Sequence, residues 1–237
     1  MLITSMPNLL LIFSAVLYLL HLILETLSSF AKYNFSSLGR HMQGVSLANI
    51  LAIASRGAVA AYGVLLALII EREFSSAGLY ALTFAITLAV GAAFSFFLSG
   101  IQLNDKALDG HEIRWEALIK EPSHFFERNN ASCPVKIRGL SAILLGAQFV
   151  AIVIAYGLCF IYPQHRLLII SLVPLISMAG TLIQILLVEP RLARMIDGAN
   201  RTGYAASREF LRARSISFLT CGCALLLMPA ALAAVSK

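Results

Sequence analysis

The sequence predicts an all-α fold, a polytopic transmembrane helical bundle of about six spanning helices. One observation is composition: of 237 residues, 59% are hydrophobic and only 13% are charged, and the mean hydropathy is +0.84, values outside the range of soluble domains. The other is the recurrence of apolar segments of about 20 residues, the length that crosses a bilayer as a helix. These segments are residues 8–30, 44–70, 79–101, 139–162, 165–188 and 213–235.

The first segment is predicted to be a membrane helix and not a secretory signal. Residues 1–20 contain no Lys or Arg ahead of the apolar core, and the apolar stretch continues to Phe30. The loops leave no room for a separate soluble domain, so residues 1–237 are predicted to form a single transmembrane domain. The predicted cytoplasmic loops are residues 31–43, 102–138 and 189–212.

The orientation follows from the distribution of basic residues, which short loops retain in the cytoplasm. Of 18 lysines and arginines, 14 lie in or at the edge of the loops after the first, third and fifth segments. Arg72, Arg166 and Lys237 lie on the other side, and Arg56 lies inside a segment. Both termini are therefore predicted to lie outside.

The net charge of +6 is explained by this orientation and by contact with anionic membrane lipids. Because the chain has no basic module interleaved with aromatic residues, no nucleic-acid partner is expected. No metal or cofactor is expected either, since the cysteines form no C-x-x-C pair and have no His at ligand spacing. The cysteines are Cys133, Cys159, Cys221 and Cys223.

No catalytic residue is predicted, and the protein is not expected to be an enzyme. The stretch HEIRW, which begins at His111, has Trp115 where a zinc protease needs its second His. Nucleophile-elbow and phosphate-loop motifs are absent from the sequence as well.

Arg56 is the most unusual residue, because it lies near the middle of the second apolar segment. A central Arg costs about 2.5–3.5 kcal/mol on insertion scales, so it normally faces a partner or a wet cavity. Two interpretations remain open: a buried ion pair, or a cation that lines the path of an anionic ligand. Ser46 and Asn49 share its helix face, and Gln43 and Gly63 approximately extend that face, which favours the path.

His21 and Glu25 lie one helical turn apart on the first segment. Glu25 is interpreted either as the counter-ion of Arg56 or as an interfacial partner of Lys32. Alternatively, His21 and Glu25 form a titratable pair that senses or carries protons, as intramembrane His and Glu often do. These interpretations are compatible with one another.

Two further segments carry polar lines. In the third segment, small residues recur at intervals of four and predict a close helix-packing seam. The fifth segment has a weaker polar line that includes Gln184 and is interrupted by Pro174, which can kink a helix. The residues of the predicted seam are Thr83, Thr87, Gly91, Ser95 and Ser99.

The ordered motifs HLILETLS, SLANI, ASRGA and AGTLIQILLVEPRLARMIDGA resemble the Amj-type lipid II flippases, bacterial proteins of six to seven spans. The similarity is densest over residues 21–56 and 179–200. Within it, Glu25, Asn49, Arg56 and an acidic residue before Pro190 match by position. One extra residue between His21 and Glu25 departs from the family pattern.

The resemblance implies a flippase of the bacterial plasma membrane that moves lipid II, the undecaprenyl-pyrophosphate-linked disaccharide-pentapeptide, from the inner to the outer leaflet, with the cell-wall synthesis machinery as a possible partner. Arg56 would then bind the pyrophosphate, with Asn49 and Ser46 as hydrogen-bonding groups. The alternatives are a membrane enzyme that acts on polyprenyl phosphates and a transporter of another undecaprenyl-linked glycan. The full set of translocation residues would be Arg56, Asn49, Ser46, Glu25, His21 and Gln184, with Arg40, Arg191 and Arg194 capturing the head group on the cytoplasmic side.

Overall fold

The structure, a computed structural model, is helical over nearly all of the residues it describes and has no strand among them. Those residues are 6–37, 40–71, 77–101, 153–159, 162–183, 186–187, 190 and 202–235. The helices are α1 (Met6–Ser37), α2 (His41–Glu71), α3 (Ala77–Ser99), α4 (residues 153–159), α5 (Arg166–Ile183) and α6 (Thr202–Val235), with a 3-10 turn at Pro163–His165. The all-α prediction is confirmed for this part of the chain.

Four of these helices, α1, α2, α3 and α6, are long and apolar enough to cross a membrane, and the chain is therefore described as a membrane protein. Their large apolar side chains are exposed on the outer surface of the bundle, as expected where lipid replaces water. The four candidate spans are Leu9–Phe35, Met42–Glu71, Gly78–Ser99 and Arg208–Leu227.

Helix α1 is central, because it contacts α2, α3 and α6. It runs antiparallel to α2, and the two approach closely beside their connecting turn. A Cβ atom on Gly44 would lie 2.6 Å from Phe35 Cβ and 3.0 Å from the Ala31 carbonyl oxygen. Only glycine permits this separation of the two backbones.

The second antiparallel pair is α3 with α6, joined along the predicted small-residue seam. Ser95 donates a hydrogen bond to the Leu211 carbonyl oxygen at 2.8 Å, and Ser215 of α6 donates to the Ala92 carbonyl oxygen at 2.9 Å. Gly91 packs against α1 as well, since a Cβ there would lie 2.9 Å from Leu22 Cδ1. Ser95 and Gly91 of the predicted seam therefore lie at helix contacts, whereas the Thr83 hydroxyl donates to the Leu79 carbonyl oxygen of α3 itself at 2.8 Å.

An aromatic cluster fills the half of the bundle away from the α1–α2 turn. Tyr18, Tyr62 and Phe84 bring together α1, α2 and α3, with ring centroids 5.0 to 5.6 Å apart. Tyr80 also joins α4 to α3 by donating a hydrogen bond to the Val153 carbonyl oxygen at 3.0 Å. This hydrogen bond and the ring contact of Tyr62 with Tyr156, whose centroids are 5.8 Å apart, fix how α4 lies against the membrane helices.

The segment after α4 returns to the end of the bundle at which α2 ends. Glu71, the last residue of α2, lines a cavity of about 520 Å³ together with the 3-10 turn and the first turn of α5. Ile169 and Ile170 of α5 pack on the core.

Two helices extend beyond the spans predicted from sequence. Residues 31–37 were predicted as loop but continue α1, and residues 202–212 were predicted as loop but form the first turns of α6. The cause is side-chain burial beyond the apolar segments: Tyr33 packs on Phe210 with ring centroids 5.3 Å apart. Polar residues at the end of a membrane helix can remain helical when tertiary contacts stabilise that end of the helix.

We expect Gly44→Ala to destabilise the bundle, whereas Gly57→Ala on the same helix should not. The methyl group that Gly44→Ala introduces would collide with α1, at a cost of about 1–3 kcal/mol for overpacking. Gly57 has no heavy atom within 4 Å of its Cβ position, so alanine there changes only helix propensity. Unfolding of the detergent-purified variants measures both effects, and equal stabilities would contradict the close α1–α2 approach.

Candidate functional site

Polar side chains of three helices meet inside the bundle at Glu25 of α1. The Ser55 hydroxyl of α2 donates a hydrogen bond to Glu25 Oε1 at 3.0 Å, and His21 Nδ1 lies 2.6 Å from Ser55 Oγ. On the other side, Arg214 Nη2 of α6 lies 3.8 Å from Glu25 Oε2. These four residues, together with Ser29, are called the polar cluster.

The polar cluster lies deep in the candidate spans. Glu25 is within one turn of Leu22, the middle of Leu9–Phe35, and Ser55 lies beside the middle of Met42–Glu71. Ser55 and His21 are buried, and the side chain of Arg214 is only 3% exposed. At 26% exposure, the Glu25 side chain is the most open of the four.

Arg214 is held by several kinds of contact. Its Nη1 donates a hydrogen bond to Ser29 Oγ at 3.2 Å, and Ser29 in turn donates to the Glu25 carbonyl oxygen at 3.1 Å. The Phe210 ring centroid lies 5.6 Å from the guanidinium carbon. A buried cation needs such compensation, because an unpaired charge in a medium of low dielectric constant is expensive.

Arg56 lies outside the polar cluster. Ser46, Asn49 and Arg56 are all exposed on the face of α2 that points away from α1, and we call these three residues the α2 stripe. Ser55, which directly precedes Arg56, is buried against α1 because consecutive helical residues point about 100° apart. The three residues share a face as predicted, but that face is exposed on the outside of α2 and does not line a polar interior, as the sequence had been interpreted.

Glu25 is therefore not the counter-ion of Arg56, as one interpretation of the sequence expected, because it pairs with Arg214. Helical periodicity explains the difference: α2 turns Ser55 toward α1 and carries Arg56 away from it. Among the described acidic residues, none is ion-paired with Arg56. His21 and Glu25 are brought together as expected, with Ser55 between them.

The other predicted site residues lie elsewhere. Arg40 is half-buried at the α1–α2 turn, where its carbonyl oxygen accepts a hydrogen bond from the Gly44 amide at 3.1 Å. Gln184, Arg191 and Arg194 lie outside the described residues.

Sequence reasoning missed Arg214, which it assigned to the edge of a cytoplasmic loop. The signal was helical spacing: Arg214 falls on the face formed by Phe210, Phe218, Cys221 and Leu225, all of which are buried. An Arg in register with such a face is directed into the bundle, and there it requires an acidic partner.

One end of the bundle is rich in basic residues. Helix α1 ends, α2 begins and α6 begins there, as the contact between Tyr33 and Phe210 shows. The end includes Arg212, whose guanidinium carbon lies 6.0 Å from the Phe96 ring centroid. Its described basic residues are Lys32, Arg40, Arg208 and Arg212.

No three His, Cys, Asp or Glu side chains in the described part of the chain are grouped closely enough to hold a metal ion. The described cysteines, Cys159, Cys221 and Cys223, are free thiols.

We expect Arg214→Met to destabilise the folded protein by up to about 3 kcal/mol, because it leaves Glu25 without its charge partner. Partial exposure of Glu25 keeps the effect at the lower end of the range for buried pairs. Glu25→Gln combined with Arg214→Met should recover much of the loss. Chemical unfolding in detergent measures the coupling.

Arg56→Met is the matched control, since it removes a cation from a similar depth but from the exposed face of α2. Its effect on stability should be small and should add to that of Glu25→Gln. Strong coupling of Arg56 with Glu25, or none between Arg214 and Glu25, would contradict the assigned pairing.

Comparisons of the chain with protein-family models, with curated proteins and with solved structures returned no match.

Proposed function

We propose that this protein moves lipid II from the inner to the outer leaflet of the bacterial plasma membrane, without a catalytic step. The observation that carries the proposal is the α2 stripe, a line of exposed polar residues with a cation halfway along a membrane span. The resemblance of its motifs to the Amj-type flippases supports the same function.

Arg56 is the group proposed to bind the pyrophosphate. Since Glu25 and Arg214 compensate each other, Arg56 contributes a positive charge to the middle of α2 that the described acidic residues do not neutralise. A guanidinium group is planar and permanently charged, and it binds phosphate oxygens through two parallel hydrogen bonds. The energetic cost of a cation at this depth would be offset only while the anion is bound.

The exposure of the α2 stripe suits a lipid-linked cargo. A polyprenyl chain is apolar and is stable in the bilayer, whereas the anionic head group requires polar contacts at every depth. Along the exposed face of α2, the head group would follow the stripe while its chain remains in the lipid. Ser46 and Asn49 lie between Arg56 and the basic end of the bundle.

The lipid II head group would first bind at the basic end of the bundle. In the proposed topology, with six crossings and both termini outside, this end lies in the cytoplasm. Arg40 belongs to this end, and Arg191 and Arg194 are proposed to join it. Glu71 and Pro163 line the same cavity and therefore lie at the same end of the bundle. Two proposed crossings between these residues would bring the chain back to that end. A positively charged rim raises the local concentration of anionic ligands.

The membrane potential supplies a direction. An anion that moves outward from a negative interior gains about 2.3 kcal/mol per charge per 100 mV. The proposed transport therefore requires no nucleotide-binding site.

We expect Arg56→Ala to abolish rescue of a strain depleted of its essential lipid II flippase, and Arg56→Lys to retain part of it. Lysine keeps the charge but loses the paired hydrogen bonds. In vesicles that contain the purified protein, the transfer of fluorescent lipid II between leaflets should follow the same order.

Ile53→Ala is the matched control, because Ile53 is exposed on the same helix face about one turn away and has no charge. It should leave both assays unchanged, and membrane levels of all variants should be equal. Normal rescue by Arg56→Ala would exclude the proposed role. Release of inorganic phosphate from polyprenyl phosphates would favour an enzyme, and transfer of another undecaprenyl-linked glycan alone would reassign the cargo.

A further inference from the structure

A continuous chain of polar atoms connects α1, α2 and α6. It runs from His21 Nδ1 through Ser55 Oγ to the Glu25 carboxylate and then to Arg214. We propose that His21, Ser55 and Glu25 form a proton-binding relay, and that delivery of a proton to Glu25 loosens the contact between α1 and α6. The ligand of this site is a proton from the aqueous phase.

The hydrogen bonds define the starting arrangement. Ser55 has one proton and donates it to Glu25 Oε1. The short contact between Ser55 Oγ and His21 Nδ1 then requires His21 to donate through Nδ1. An imidazole protonated at Nδ1 takes a further proton at Nε2 and becomes an imidazolium.

The imidazolium can pass a proton to Glu25 without any movement of heavy atoms. The Nδ1–H bond of His21 breaks as a new O–H bond forms on Ser55, while the original Ser55 O–H bond breaks and an O–H bond forms on Glu25. His21 is left neutral with its proton on Nε2, and Glu25 becomes an uncharged carboxylic acid. The net change is the transfer of one proton taken from water.

A neutral Glu25 no longer balances the charge of Arg214. The guanidinium is nearly completely buried, so the loss of this anion raises the cost of keeping Arg214 between α1 and α6. Arg214 follows Arg212 of the basic end by two residues on α6, and a long Arg side chain can extend toward an interface. Proton binding thus favours separation of the two helices at this level.

Among the described residues, the groups that face the relay come from α1, α2 and α6, and they include Tyr33, which lies near Arg214. Tyr18 lies beside His21 with ring centroids 5.8 Å apart, α2 contributes Ser55, and α6 contributes Arg214 and, farther along, Cys221. Helix α3 has no Asp, Glu, Lys, Arg or His. Toward the basic end, α6 carries additional charged side chains at Arg208, Glu209 and Arg212.

Buried tyrosines connect the relay with the opposite end of the bundle. The ring centroids of Tyr18 and Tyr62 are 5.0 Å apart, and those of Tyr62 and Tyr156 are 5.8 Å apart. Tyr156 is only half-buried and belongs to α4, which leads to the cavity beside Glu71. These ring contacts link that end of the bundle with the side chain of His21.

The relay itself does not require lipid II, whereas its use in transport rests on the proposed function. Infrared difference spectra of the purified protein in nanodiscs, without lipid II, measure the protonation of Glu25 after a drop in pH. We expect the carboxylic acid C=O band to appear in the natural chain and to be absent from Glu25→Gln.

Ser55→Ala breaks the relay without removing a titratable group. The band should then rise more slowly by about 10²-fold, the contribution typical of a positioned proton donor, and Ser55→Thr should restore the rate. His21→Asn, which still has a side-chain donor to Ser55 but takes no proton, should be slow too. Ser14→Ala is the matched control, because Ser14 is a buried α1 serine that donates to the Leu11 carbonyl oxygen.

The relay would be overturned if the carboxylic acid band rose in both Ser55→Ala and His21→Asn at the rate of the unsubstituted protein. Two further results separate the relay from the flippase proposal. If the relay works but the rate of lipid II transfer does not change with an imposed pH gradient, only the coupling of proton binding to transport is rejected. A working relay in a protein that moves no lipid II would reject only the flippase function.

Discussion

The structure depends on the charge pair between Glu25 and Arg214. Each charge alone is unstable in the interior of a membrane protein, and the two are tolerable because serines of α1 and α2 supply the remaining hydrogen bonds. Ser55 and Ser29 each contribute a hydroxyl at the required distance. The pair therefore fixes the rotation of α1, α2 and α6 about their axes, since a change of register by one residue would break at least one of these contacts.

The same pair determines what remains available for a ligand. Glu25 and Arg214 compensate each other, whereas Arg56 on the outer face of α2 has a charge that no acidic residue in the described part of the chain neutralises. The proposed roles are a response to protons in the interior and contact with a lipid-linked anion on the outer face of α2. The two adjacent residues Ser55 and Arg56 serve these two surfaces because they point in different directions from one helix.

The sequence was sufficient for the class of fold and for the four candidate membrane spans that the structure describes, because long apolar segments have few alternatives in a bilayer. It also identified the α3 seam, since small residues at intervals of four describe a face of close packing. The partner of Glu25 was not predictable in this way. Pairing between residues so distant along the chain is set by tertiary packing, and hydropathy had assigned Arg214 to a loop edge, where an Arg needs no explanation. Likewise, the sequence predicted that Ser46, Asn49 and Arg56 share a face, but it contained no information on whether that face points inward or outward.

The central position of α1 has a consequence for biosynthesis. Ser29 and Arg214, which are bonded in the folded protein, are separated by 185 residues. At about 5–20 residues per second, some 10–40 s pass between the synthesis of α1 and that of its α6 partner. During this interval Glu25 and His21 are in a membrane, or at its surface, without Arg214. An early α1–α2 hairpin, held by Gly44 and by the bond from Ser28 to the Ala48 carbonyl oxygen at 2.9 Å, would shelter these polar groups until the last helix arrives. Stable insertion of the polar residues of α1 would thus depend on the α1–α2 pair until α6 has been synthesised.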